Sequence, residues 1–218
     1  DGNDNDPHPN GDATVYEEAL DADGSNPTSN KESTTGTITI DAKDGLNKVS
    51  IGGTDIDEAA LLASGTTAIT ITTPYGEITV NGYTPTDPTH ADGSGTIDYS
   101  YTLTDNTTDH STAGNDEVTD AIAVSVTDRD GDVGNNTLNV TIVDDVPSIT
   151  LTTKTDPADT LTVDETTLGT DATASFADNF TSTPINGADG ATVTSTYTLS
   201  VASGSTGLVD TLSKQDVV

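Results

Sequence analysis

The chain has 218 residues and no Cys, and its 37 acidic against 6 basic residues give a formal net charge of −31. This charge excludes nucleic acid and anionic membrane as natural partners, because binding either requires a basic surface. The absence of Cys excludes disulfides and thiolate metal sites. Hydrophobic residues make up 31% and aromatic residues 4%. The Thr- and Val-rich remainder favours strands and the Asp, Asn and Gly residues favour turns, so we predict an all-β protein.

The acidic excess requires something that offsets the repulsion between carboxylates. One explanation is solvation of the charges in a high-salt environment. The other is binding of divalent cations, since hard oxygen ligands are those that Ca²⁺ selects.

The first predicted strands follow a polar N-terminus. Residues 1–12 lack apolar residues that could be buried and are predicted to be a linker into the domain. Residues 14–16 and 36–40 alternate as strands do, and the polar residues 21–34 between them form a predicted loop.

The middle of the chain combines strands with one short helix. Strands are predicted at 46–51, 67–73 and 76–80, and residues 57–63 have helical character, with acidic residues in the first turn. Asn81-Gly82 is followed at once by Tyr83, and this dipeptide predicts a type I′ hairpin turn.

The last strands of the first domain are predicted at 97–103, 121–126 and 136–143. In the first of these, Ile97, Tyr99, Tyr101 and Leu103 share one face. Eight or nine strands in about 145 residues predict a Greek-key β-sandwich. We assign this domain to residues 13–146.

The sequence then begins a similar pattern again. Pro7 matches Pro147, and the segment from Val15 matches the segment from Val163, with a period of roughly 140 residues. Residues 147–218 are therefore predicted to be the start of a second, incomplete β-sandwich in a tandem array.

An acidic turn separates the last two strands of the first domain. Asp128, Asp130 and Asp132 alternate around Gly131, which lets a tight loop direct their oxygens toward one point. The spacing is similar to the first half of a calcium loop, but Asn139 stands where an EF-hand has its bidentate Glu. A solvated acidic turn is the alternative.

Chain direction divides the candidate ligands between the two ends of the domain. The turn at 128–132 lies at the end where the chain enters, while the last strand delivers the next acidic pair to the opposite end. We therefore predict Ca²⁺ at both interdomain junctions. The candidate ligands are Asp4, Asp6, Asp128, Asp130 and Asp132 at the entry end, and Asp105, Asp144, Asp145, Asp164 and Glu165 at the exit end.

Catalytic patterns are missing from the sequence. There is no Gly-x-Ser-x-Gly nucleophile elbow. Acidic pairs such as Glu17-Glu18 carry little information in so acidic a chain, although paired carboxylates are what a glycosidase needs. We therefore expect that the protein is not an enzyme.

Three segments resemble a known class of proteins. TDRDGDVGNNTLNVTIVDDVP at 127–147, IDYSYTLTDNTTDHSTAGNDEVTDAIAVSVTD at 97–128 and LTVDETTLGTDATASFADNF at 161–180 are similar to repeat modules of giant bacterial RTX adhesins exported by type I secretion. The resemblance implies immunoglobulin-like sandwiches, Ca²⁺ at domain ends and an extracellular, cell-surface location. It also implies a role in attachment or biofilm formation.

Two functions follow from these expectations. The leading one is a calcium-rigidified extender, a monomer whose partners are neighbouring repeats of the same chain. The alternative is a calcium-dependent module that binds a peptide or glycan through residues 105–116 or 83–95. Few aromatic residues and acidic clusters at predicted junctions favour the extender.

Overall fold

A computed structural model of the chain describes residues 7–10, 13–107, 117–154, 166, 169, 173, 175–198 and 214–215. The chain divides into two compact units. The first comprises residues 1–149 and 184–191, and the second comprises residues 150–183 and 192–218.

The described residues of the first unit form ten strands, one turn of 3₁₀ helix (Glu17–Ala19) and one short α-helix, α1 (Glu58–Ala63), which follows the fifth strand. The strands are β1 (Pro7–Asn10), β2 (Ala13–Tyr16), β3 (Ser33–Ile40), β4 (Leu46–Ile51), β5 (Thr54–Asp57), β6 (Ile69–Thr72), β7 (Gly76–Pro85), β8 (Gly95–Leu103), β9 (Glu117–Asp128) and β10 (Val133–Val143).

These strands form two five-stranded sheets. The order is β1-β3-β8-β7-β6 in one sheet and β2-β10-β9-β4-β5 in the other. β2 runs parallel to β10, with Ala13 opposite Val140 and Tyr16 opposite Val143, and the other pairs are antiparallel. The N-terminal strands thus form an edge of each sheet.

One hydrophobic core draws on both sheets, so the architecture is all-β and sandwich-like. The predicted inward face of β8 is confirmed, because Ile97, Tyr99, Tyr101 and Leu103 are all buried. The alternation of β-branched and polar residues positions the other strands in the same way. Such a core from mainly Ile, Val and Leu fits the low aromatic content.

The predicted helix is confirmed as a short one. The Asp57 side chain caps it by accepting a hydrogen bond from the backbone N of Ala60 at 2.8 Å. Leu61 of α1 is fully buried in the core, whereas its neighbour Leu62 is 40% exposed.

The predicted hairpin at Asn81-Gly82 is wrong. β7 continues through both residues along β8, with a bulge in the register between Val80 and Gly82. Neither residue has the positive φ that a type I′ turn requires. The Asn81 side chain donates to Ser100 Oγ at 3.0 Å, and Tyr83 packs on the core, so cross-strand contacts override the local turn preference.

Strand ends also differ from the sequence expectation. Residues 7–10, within the predicted linker, form β1 and pair with β3. β3, β9 and β10 begin three to four residues before their predicted starts. These added residues are mainly Thr, Ser, Asn, Val and Glu. They pair with the neighbouring strands, but they lack the apolar–polar alternation from which a strand is predicted.

The second unit has little described structure. β11 (Ser148–Thr153) and β12 (Phe180–Ile185), of which residues 150–153 and 180–183 belong to this unit, form a separate two-stranded sheet. None of the described residues of the second unit is buried, and Leu151, Phe176, Phe180 and Tyr197 line an apolar groove of about 620 Å³. Val163 and the acidic pair after it, the landmarks of the predicted repeat, lie outside the described residues.

Candidate metal centre

The acidic turn joins β9 to β10 and is organised by its first carboxylate. Asp128 Oδ1 accepts hydrogen bonds from the backbone N of Gly131 at 3.0 Å and of Asp132 at 2.9 Å. The backbone N of Asp128 donates to the carbonyl O of Asp132 at 3.1 Å. Gly131 has φ +102°, a conformation that a residue with a Cβ rarely adopts. The sequence Asp-x-x-Gly-Asp therefore closes the turn by itself.

This turn brings three predicted ligands together. Carboxylate oxygens of Asp128, Asp130 and Asp132 lie within 4.8 Å of one another, and this is the one such group among the described residues. Asp128 is buried, Asp132 is half-buried and Asp130 is exposed. The hydrogen bond to Asp128 raises the pKa of Asp130, and the negative charges of Asp128 and Asp132 add to that effect. A bound cation would relieve this crowding.

The donor set suits a hard divalent cation. Ca²⁺ takes six to eight oxygen ligands, and three carboxylates supply only part of that number. Further oxygens would have to come from water or another part of the chain. Asp4 and Asp6, the predicted contributors from the N-terminal segment, lie outside the described residues.

Arg129 connects the turn to three neighbouring segments. Its Nη2 donates to Glu58 Oε2 at 3.1 Å and to the carbonyl O of His90 at 3.2 Å. Its backbone N donates to the carbonyl O of Gly45 at 3.0 Å, and a Cβ on Gly45 would collide with its guanidinium. Arg129 was not among the candidate residues predicted from the sequence, although it is one of only 6 basic residues.

At the opposite end of β10, the predicted ligands are dispersed. Asp145 is buried, and Ser25 donates to it from the backbone N at 2.7 Å and from Oγ at 2.6 Å. Asp105 is exposed and accepts from the backbone N of Asn106 at 2.9 Å. Asp144 is half-buried. These three do not form a close ligand group among the described residues, and Asp164 and Glu165 lie outside them.

Two acidic residues near this end were not among the ligands predicted from the sequence. Glu17 is fully buried, and its Oε1 accepts from the backbone N of Thr107 at 2.6 Å. Its position was detectable, since Ala13, Val15 and Glu17 continue one alternating face. Asp189, which accepts from Asn106 Nδ2, lies 83 residues farther along the chain and gave no signal.

The two loops proposed for ligand binding differ in how much is described. Residues 108–116 of the first loop lie outside the described part of the chain. In the second, Asp87 accepts from Thr89, from the backbone N of Ala91 at 3.1 Å and from that of Asp92 at 3.2 Å. These hydrogen bonds lower the pKa of Asp87 to about 2. Tyr83 OH closes the loop by donating to the carbonyl O of Gly93 at 2.9 Å.

Comparison with known proteins yields one match. A family model described as "Domain of unknown function (DUF5801)" matches residues 160–218, outside the ten-stranded part of the chain. No curated protein and no solved structure matches the chain. No helix in the described part is long and apolar enough to cross a membrane.

Proposed function

We propose that this chain is a calcium-rigidified extender of a large secreted bacterial adhesin. In this role it acts outside the cell as a monomeric segment of a tandem array and holds an adhesive region away from the cell surface. Its partners are neighbouring repeats. The observation that carries the proposal is the close group Asp128, Asp130 and Asp132 at one end of the sandwich.

We further propose that the first unit is an immunoglobulin-like Greek-key sandwich. In that fold, strands A, B, E and D form one sheet and C, F and G form the other. The observed order β1-β3-β8-β7 corresponds to A-B-E-D, and β10-β9-β4-β5 corresponds to G-F-C-C′. β2, which pairs in parallel with β10, places the second part of the N-terminal A strand in the other sheet, so that β1 and β2 together contribute to both sheets.

The distance between the two acidic ends supports an extender rather than a single calcium pocket. β10 has 11 residues between the turn at 128–132 and the pair Asp144-Asp145. At about 3.3 Å per residue, the two ends lie roughly 35 Å apart. The described carboxylates form a close group at the entry end only. A cation at the turn 128–132, shared with the adjoining linker, would therefore act on the entry junction and stiffen a flexible hinge there.

Calorimetric titration of the metal-free chain with Ca²⁺ tests the proposal. We expect saturable binding with a dissociation constant of about 10⁻⁴ to 10⁻³ M, the range of extracellular modules. Replacing Asp128, Asp130 and Asp132 together by Asn should abolish binding at this turn. The control variant replaces Asp21 and Asp23, which lie in an exposed acidic turn, by Asn. It lowers the negative charge elsewhere on the chain and should leave Ca²⁺ binding at the turn 128–132 intact.

Small-angle X-ray scattering of two copies of this chain joined in tandem, with and without Ca²⁺, tests the rigidifying role, because the turn at 128–132 of the second copy then meets the linker from the first. We expect a narrower distribution of interatomic distances with Ca²⁺ for the native tandem and for the control variant. For the triple variant we expect a smaller narrowing or none. Absence of saturable Ca²⁺ binding would refute the proposal. Binding that leaves the distribution unchanged would refute the extender mechanism.

A further inference from the structure

One side of β9 is only partly paired. On this side, β4 pairs with β9 from Asp128 to Val124, and the backbone N of Gly52 then donates to the carbonyl O of Ala123 at 2.9 Å. The chain next turns into β5, which pairs with β4. Within the described part of the chain, no strand pairs on this side with residues 117–123.

The unpaired stretch presents a usable hydrogen-bonding edge. Backbone groups alternate between the two sides of a strand, so those of Thr119 and Ala121 point the same way as those of Ala123. Residues 117–123 extend about 20 Å, enough for an added strand of typical length. Sheet edges are usually blocked by charged side chains, Pro or a bulge. This stretch of β9 contains no Lys or Pro, and its charged residues are Glu117 and the buried Asp120.

A cavity lies beside this edge. It has a volume of about 230 Å³ and is lined by Gly52, residues 72–74 and residues 120–123. That volume equals about seven water molecules, which leaves room for one long side chain. Ala121 and Ala123, which flank it on β9, are small and exposed.

The cavity wall carries a buried negative charge. Asp120 is 1% exposed, and its Oδ2 accepts from Thr73 Oγ1 at 2.6 Å and from Tyr101 OH at 2.8 Å. Its Oδ1 has no hydrogen-bond partner among the described residues. Both donors are neutral, and the described residues of the cavity lining include no Lys or Arg. A buried carboxylate without a counter-charge is costly, so a cation in the cavity would be stabilised.

We infer that the 117–123 edge of β9 binds an extended segment of a partner polypeptide as an added strand, with a Lys or Arg side chain in the cavity beside Asp120. Main-chain hydrogen bonds would supply affinity, and the side chain in the cavity would supply specificity. The charge of Asp120 selects a basic segment. Asp120 lies about 25 Å along β9 from the acidic turn, so this binding requires no Ca²⁺.

Amide hydrogen exchange of the ¹⁵N-labelled chain in EDTA tests whether the edge is open. We expect the amides of Thr119 and Ala121 to exchange quickly, while the amide of Ile122, which faces β10, is protected. If Thr119 and Ala121 are equally protected in the free chain, residues outside the described part already fill the edge and the inference is overturned.

Peptide binding tests the partner chemistry. The probe is the capped peptide Thr-Val-Thr-Lys-Thr-Val-Thr, and its control has Glu in place of Lys. We expect the Lys peptide to protect Thr119 and Ala121 and to bind at least about tenfold more tightly than the Glu peptide. No binding of the Lys peptide at about 1 mM, or equal binding of both peptides, would overturn the inference.

Three variants distinguish the role of the strand edge from the role of the Asp120 charge. Ala121→Pro removes the outward N–H at an exposed position and should abolish binding, whereas Ala121→Thr keeps the N–H and should retain it. Asp120→Asn should reduce the preference for Lys over Glu by about tenfold. If Asp120→Asn unfolds the chain, the comparison of Ala121→Pro with Ala121→Thr still tests strand addition. Unchanged peptide binding by Ala121→Pro would contradict it.

Discussion

The hydroxyl of Tyr101 stabilises a buried charge, and the change Tyr101→Phe measures how much. Tyr101 OH donates to Asp120 Oδ2 at 2.8 Å, and both residues are buried. A hydrogen bond to a charged group contributes about 1.5–3 kcal/mol, and its loss leaves Asp120 with Thr73 alone. For a unit of this size, each kcal/mol shifts Tm by about 2–4 °C, so we expect a decrease of about 3–12 °C.

Tyr99→Phe is the matched control. Tyr99 lies two residues earlier on the same face of β8 and is equally buried, but its hydroxyl donates to no described residue. Its removal should change stability by no more than about 0.5 kcal/mol. Urea unfolding followed by circular dichroism gives both values. The reasoning fails if Tyr101→Phe costs no more than Tyr99→Phe, because Asp120 would then not depend on this donor.

Three further predictions concern the core, the pKa of a tyrosine and the stability of a loop. Leu61→Ala should cost about 2–5 kcal/mol in urea unfolding, because it empties a fully buried site, while Leu62→Ala on the exposed side should cost far less. Burial raises the pKa of Tyr83 to about 12 from 10.0, so stability should fall as pH rises through this interval, and Tyr83→Phe should flatten that decline. The pKa of Asp87 is lowered to about 2 from 3.8, so hydrogen-exchange protection of its loop amides should be lost as pH falls through that range, and a protected loop below pH 2 would contradict this.

Predictions from local sequence were confirmed where the residue pattern is compatible with a single local structure. The alternation from Ile97 to Leu103 placed four side chains in the core, and the acidic turn closed through Asp128 and Gly131 as its spacing required. Asn81-Gly82 is the counter-example. The preference of this dipeptide for a turn is outweighed by the hydrogen bonds between β7 and β8, which pair on both sides of the bulge.

Contacts between distant residues were hidden from sequence reasoning. Arg129 binds Glu58, and Ser25 donates to Asp145 across 120 residues. Nothing in the sequence near either member indicates its partner, because a hydrogen bond depends on where two loops meet and not on local periodicity.

The sequence by itself determined the all-β class, the inward faces of the strands and the three clustered carboxylates, because each follows from alternation or spacing within a few residues. Only the tertiary structure decided the sheet order, the dispersal of the described carboxylates at the other end of β10 and the stretch of β9 beside Asp120 that no described strand pairs with on the β4 side. These depend on which strand pairs with which and on where β4 turns away, and hydrogen bonds between strands leave no mark on the sequence of either strand alone.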